Sequence, residues 1–442
     1  MPAYPSSPEI TQKPTRARYV VLALVASLSA ICFIERAAIS QAAPDIQQTL
    51  GITKGDMGVV FSAFTLSYAL LEIPMGRLGD RFGPRNILLK VVLMWSFFTA
   101  ATGWVWNLTS LTICRLLFGA GEGGCFPNLT KIVTIWLPSS ERERAQGILW
   151  CCGRWGAAVA PAVMALTLTF MNWRWAFTLL SLLGIVWAGV FYFWFSDRPR
   201  GHRAVNAAEL AQMDGAEANA PSEAQVPWRE LFRRRAVWLL WLQYFCMAYG
   251  WYFYITWLPT YLREARHVDL QKSALLAGLP TFLGGIGCFV GGWLVQRCTA
   301  RWGDVRRARR TVAGCAMLVA SIMMVVFTGI ANDVLAIAAL GVASFSVDLV
   351  MASAWGACMD VGGRHAGALS GSMNMMGNLG GVVGPIVVGA ILQNATNTAD
   401  SLPSPHAWTL AFLITAAVYL LGASCWIFID PVSPLEGEHV NP

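Results

Sequence analysis

Apolar residues run along this chain in long blocks, not in the short alternating stripes of a water-soluble fold. Each block is about 20 residues long, the length of helix that crosses a hydrocarbon core. The blocks predict spans at 18–42, 56–76, 87–105, 109–137, 143–170 and 175–195. After a polar stretch they resume at 237–262, 273–296, 311–331, 334–358, 366–393 and 407–429. The pattern is that of an all-α membrane protein of about twelve helices in two groups of six. It divides the chain into an N-terminal segment (1–17), a first bundle (18–196), a linker (197–235), a second bundle (236–430) and a tail (431–442). Inside the linker, Ala207 to Met213 reads as a short helix. Pro44 closes the first expected span and Pro259 the seventh, 215 residues later; Gly76 and Gly291 open two basic loops at the same offset of 215. A shared offset points to an internal duplication, and parallel six-helix repeats place a binding site between them.

Composition supports lipid as the solvent. Only 13% of residues are charged and 56% are hydrophobic, whereas a soluble domain carries about 25% charge. The 20 tryptophans suit interfacial belts. The net charge of +7 invites a nucleic-acid reading, but the arginines sit in short loops and no soluble basic domain is long enough to use them. Arg77, Arg81, Arg85, the run Arg233-Arg234-Arg235, Arg306 to Arg310 and Arg364 all fall on one side of the expected bilayer. The other side holds little beyond Lys54, Arg174, Arg263, Arg266 and Lys272. This asymmetry places both termini and the linker in the cytoplasm of a multi-pass protein of the cell's inner membrane. The first apolar run follows a polar segment and is full length, so it reads as a retained helix and not as a cleaved signal.

Metal and nucleophile chemistry find little support. The 11 cysteines lack zinc-ligand spacing and read as small buried hydrophobes. His202, His267, His365, His406 and His439 lie in loops or near span ends, so no histidine metal site or Ser–His pair is expected at the midplane. No cofactor, no metal and no enzymatic activity are expected.

The charges inside the spans are the informative residues, since burying one in hydrocarbon costs several kcal/mol. They are Glu35, Arg36, Glu72, Arg115, Glu122, Lys131, Arg154 and Asp348. Glu35 and Arg36 are neighbours and point about 100° apart on a helix. Arg115 and Glu122 are about two turns apart on one face, amid Gly119, Gly121, Gly123 and Gly124, which admit a second helix closely. Glu72 and Lys131 stand near span ends, where long side chains snorkel to the headgroups. The alternative role for all of them is mutual neutralisation that fixes helix packing. A buried arginine suits a carboxylate or phosphate ligand. A buried glutamate beside an arginine gains and loses its proton with its surroundings, the requirement for coupling proton movement to transport. Tyr68, Ser370, Asn374 and Asn378 add neutral polar groups; Asn374 and Asn378 are one turn apart. Tyr249, Trp251, Tyr252, Tyr254 and Trp257 either wall a cavity or form an interfacial belt.

The stretch Gly76-Arg77-Leu78-Gly79-Asp80-Arg81-Phe82-Gly83-Pro84-Arg85 resembles the signature loop of the major facilitator superfamily; Gly291-Gly292-Trp293-Leu294-Val295-Gln296-Arg297 resembles a degenerate second copy. Over nearly its whole length the chain is similar to the anion:cation symporters, the group of sugar-acid and phthalate permeases and vesicular organic-anion carriers. The motifs behind this are Glu35-Arg36-Ala37-Ala38, the segment Arg115 to Asn128, Thr256 to Leu262, and Ser370 to Gly381. The resemblance implies a monomeric, proton-coupled symporter that imports a small organic anion by alternating access. It implies Arg36 near the substrate, Glu122 and then Glu35 as proton carriers, Arg115 tuning Glu122, and Asp80 with Arg81 in a cytoplasmic gate. Arg154, Tyr68, Asn374 and Asn378 complete the expected substrate contacts. Galactonate-type relatives carry Gln where this chain has Arg154; the extra cation calls either for a second acid group on the ligand or for an internal partner, Glu72 or Asp348. The rival of the same fold is a proton-coupled drug or metabolite exporter, which should present acids and aromatics to a cation and not three buried arginines.

Overall fold

A computed structural model describes residues 13–213, 228–362, 366–395 and 405–433. Arg364, His365 and His439 fall outside the described residues, as do 1–12, residues 214–227 of the linker and the end of the tail. The first half consists of α1 (Ala17–Leu50), α2 (Lys54–Phe82), α3 (Pro84–Thr102), α4 (Leu108–Glu122), α5 (Cys125–Trp136), α6 (Ser139–Phe170) and α7 (Trp173–Trp194). Two short linker helices follow, α8 (Ala207–Met213) and α9 (Trp228–Arg233). The second half consists of α10 (Arg235–Thr256), α11 (Leu258–Glu264), α12 (Leu270–Trp302), α13 (Val305–Thr328), α14 (Asp333–Gly362), α15 (Ala366–Asn394) and α16 (Pro405–Phe428). Among the described residues, nine helices are long and apolar enough to cross a membrane. The 19-residue α3 and the broken pairs α4–α5 and α10–α11 fill the other three places. The result is two six-span bundles.

Local chemistry sets the helix ends. Thr53 and Asp56 form a capping box at the start of α2, and Asn107 with Ser110 forms one at the start of α4; both satisfy amides that the first turn leaves free. Pro44 does not close the first span as expected. It sits inside α1, which continues to Leu50 and stops at Gly51 with φ +64°. Neighbouring helices in a membrane bundle tolerate such a proline. Gly76 likewise opens no loop: α2 runs on to Phe82, and the chain turns at Gly83, φ +83°. The break between α4 and α5 falls at Gly123-Gly124.

The halves meet along α2 against α15 and α6 against α12. Missing side chains let these pairs close. A Cβ on Gly58 would strike the Pro385 carbonyl, and one on Gly278 the Ala158 carbonyl.

The expected linker helix forms as α8 and docks on the first half. Glu209, fully buried, accepts the amides of Ala17 at 3.2 Å and Arg18 at 3.1 Å, and also the Thr15 hydroxyl. It caps α1 from a distant part of the chain, where Arg16 offers no side-chain cap. Arg18 extends the clamp to Glu141 at 3.1 Å and Gln212 at 2.6 Å. Helix α9 instead packs on α10, with Phe232 edge-on to Trp241 at 5.5 Å. Glu209→Ala should cost about 1–2 kcal/mol, the worth of a cap with a charged acceptor. The check is the thermal unfolding midpoint in detergent, which an unchanged value would decide against the clamp.

Candidate functional site

A cavity lies between the halves. The first half contributes Phe33, Arg36, Tyr68, Phe126, Trp150 and Arg154, and the second Tyr244, Met247, Trp251, Tyr252, Asn374 and Asn378. All five expected substrate contacts are therefore on its wall. Its apolar surface is aromatic, with Phe126 stacked on Trp150 at 4.8 Å and Phe33 edge-on to Trp251 at 5.9 Å.

Arg36 projects from the middle of α1 into this space. Its guanidinium carbon lies 4.4 Å from the Phe33 ring centre, 5.0 Å from Phe64 and 4.8 Å from Tyr68. Three ring faces hold the cation by their negative quadrupoles. Its Nε and Nη2 donate to one oxygen of Glu122, at 3.2 and 3.0 Å. The thiol of Cys32 touches the same oxygen, so this cysteine is more than a packing residue. Among the described residues the second Glu122 oxygen has no hydrogen-bond partner, and the residue is completely buried.

Glu35, one residue earlier, faces away. It accepts the Thr99 hydroxyl at 2.7 Å, between α1 and α3, with Gly184 of α7 close by, and it does not line the cavity. The 100° step between adjacent helical residues separates the two. Arg115 is buried on the faces of Phe64 (5.0 Å) and Phe118 (4.6 Å). Its Nε lacks a hydrogen-bond partner among the described residues. The carboxylate two turns along α4 thus bonds directly to Arg36, not to Arg115.

Arg154 finds its partner in the other half: Nη2 to Oδ1 of Asp348 on α14, 2.7 Å. Its guanidinium lies 4.3 Å from the Trp251 ring centre. Of the two partners weighed from the sequence, Asp348 is the one used.

Glu72 corrects the expectation of snorkelling. It turns inward, where Asn374 donates to its two oxygens at 2.8 and 2.9 Å and Asn378 at 3.4 Å. Tyr252 donates to the Asn378 carbonyl oxygen at 3.3 Å. One carboxylate of α2 thereby clasps the polar face of α15. The signal available in the sequence was its place one turn after Tyr68, on the same face of the span. Lys131 does not snorkel either; its Nζ donates to the Gly79 carbonyl at 2.9 Å and ties α5 to the end of α2.

Residues 25–385 match the profile of the Major Facilitator Superfamily. The chain belongs to that superfamily. It is therefore a multi-pass membrane transporter and not an enzyme. It is 34% identical to a probable sulfoacetate transporter of Cupriavidus necator over 423 residues, 95% of this chain and 96% of that protein. It is 29% identical to the D-galactonate transporter of Escherichia coli O6:H1, with 94% and 96% covered. These are the anion and sugar-acid carriers that the motifs resemble. A bacterial homologue of the human lysosomal transporter Spinster, crystallised inward-facing and unoccupied, superposes with a TM-score of 0.75 at 20% identity, covering 94% of this chain and 98% of that one.

In this transporter the halves are locked at the arginine-poor end. Lys54 pairs with Glu264 at 2.7 Å, Arg263 with Asp45 at 3.3 Å, and Gln41 donates to Ser273 at 3.3 Å. At the opposite end lies the superfamily motif, mostly helical. Gly79 leaves room for the Asn128 side chain, Arg81 stacks on Phe82 at 5.2 Å, and the Arg85 amide donates to Asp197 at 2.8 Å. The Asp80 side chain lies outside the described ones. Of the aromatic run on α10 and at its junction with α11, Trp251 and Tyr252 wall the cavity, while Tyr249, Tyr254 and Trp257 are buried in helix packing. None of the five forms a headgroup belt.

Proposed function

We propose that this transporter is a monomeric symporter that imports a small organic anion, a sugar acid or related carboxylate, together with protons. The observation that carries the reading is the Arg36–Glu122 pair, in which the arginine faces the cavity and the acid lies behind it. While Glu122 is ionised it occupies the guanidinium. An entering acid group competes for the same donors, and it wins when Glu122 takes a proton, because a neutral carboxyl no longer opposes it. Proton and substrate thus favour each other's binding, the thermodynamic definition of coupling. The names of the relatives support the anionic substrate. Orientation follows from the arginines: the locked end faces outward and the Gly76–Arg85 motif inward.

Energetics favour the same scheme. An anion moving inward works against about 2.3 kcal/mol per charge for each 100 mV, and each co-transported proton removes one such charge. The test is the purified protein in liposomes, with D-galactonate and sulfoacetate as probes. An acid exterior should drive accumulation, and adding substrate to de-energised vesicles should make the medium more alkaline. Uptake indifferent to the pH gradient overturns the symport reading.

A further inference from the structure

We propose that Arg154 and Asp348 form a second anion subsite, which takes the second acid group of an organic dianion while Asp348 accepts a proton. This rests on the symport reading above and adds a substrate class and a second proton to it.

Three observations carry it. Arg154 lines the cavity and Asp348 does not, so a ligand meets the cation first and the carboxylate stands behind it. The same order holds for Arg36 and Glu122, and the two sites are joined across the cavity wall by the Phe33–Trp251 ring contact. The ion pair is also incomplete. Both residues are more than nine-tenths buried, yet a single hydrogen bond joins them, and among the described residues Arg154 Nε and Asp348 Oδ2 have no hydrogen-bond partner. A buried pair that serves packing alone gains from having those atoms satisfied. Finally, the Arg154 guanidinium has a second contact besides Asp348, the Trp251 ring face at 4.3 Å, which gives the cation support that does not depend on a carboxylate.

The surroundings of Asp348 explain the proton. Cys288 faces it from α12, Tyr244 and Tyr254 from α10, and Tyr419 from α16, while Arg154 of α6 is the cation of the group. Gly284, also on α12, brings that helix against Oδ2. Once a ligand takes over Arg154, the carboxylate has no charge to balance it in a low-dielectric site, and it is neutralised by a proton. A dianion then enters with one proton on Glu122 and one on Asp348, and leaves with both, for no net charge moved. A monoanion displaces Glu122 alone, Asp348 keeps Arg154, and one proton moves.

Calorimetry on the intact wild-type protein, in buffers of different ionisation enthalpy, counts protons taken up on binding. Sulfoacetate should take up about one more proton per molecule than D-galactonate. Equal, non-zero counts overturn the second subsite and leave the first reading intact; no uptake with either probe overturns the symport reading itself. Asp348→Asn should lower the proton count for sulfoacetate by one and make its uptake in liposomes sensitive to membrane potential. Because that variant leaves a buried arginine unpaired, the double change Arg154→Gln with Asp348→Asn serves as the second test. It should reduce the preference for sulfoacetate over D-galactonate by roughly tenfold or more, the worth of one charged hydrogen bond. An unchanged preference and proton count in the double variant overturn the proposal.

Discussion

Glu122→Gln should uncouple accumulation from the proton gradient while leaving substrate exchange in place. Glutamine has the shape of the acid but no proton to trade, so Arg36 faces the cavity with a neutral neighbour at every pH. Anion binding to wild type should strengthen as the medium is acidified; in the variant that dependence should flatten. Each proton carried contributes about 1.36 kcal/mol per pH unit of gradient. Loss of one carrier therefore lowers the steady-state accumulation ratio by about tenfold for each unit imposed. Counterflow in preloaded vesicles, which needs no net proton movement, should persist. Full concentrative uptake by the variant would move the coupling site elsewhere, with Glu35 next in line.

Arg36→Lys should cost most of the affinity for carboxylates without comparable damage to the fold. Lysine keeps the charge and can still pair with Glu122. It lacks the planar fork and stacks poorly on the Phe33, Phe64 and Tyr68 faces that hold the guanidinium at 4.4 to 5.0 Å. Losing a bidentate charged contact and its ring support is worth about 2–3 kcal/mol, roughly 30- to 150-fold in Kd. Titration calorimetry with D-galactonate, next to a melting curve, separates affinity from stability. An unchanged Kd places the primary anion site on another residue.

The spans were legible because bilayer thickness imposes a minimum apolar length on every span. The ends were less so, since the sequence-level rule treats proline and glycine as stops. Pro44 sits inside a helix that neighbours support, and α2 continues through Arg77 and Arg81 to Phe82. The buried charges stood out by cost alone, and the opposite directions of Glu35 and Arg36 follow from helix geometry. The pairings did not. Arg36 joins Glu122 of a separate helix, and Arg154 reaches across to Asp348, 194 residues later. No local spacing encodes such contacts. Glu72 was misjudged for a related reason: nearness to a span end says how a side chain can escape to water, whereas two asparagines of α15 gave it reason to stay.

The two linker helices ride on different bodies. Helix α8 is bolted to α1 and α6 through Glu209 and Arg18, while α9 rests on α10. A fluorophore on each would form a molecular ruler whose ends report the two halves separately, far from the cavity and its charges. Energy transfer between them should step between two levels as substrate is added. That would test in single molecules whether the halves rock against each other, without altering any residue that lines the cavity.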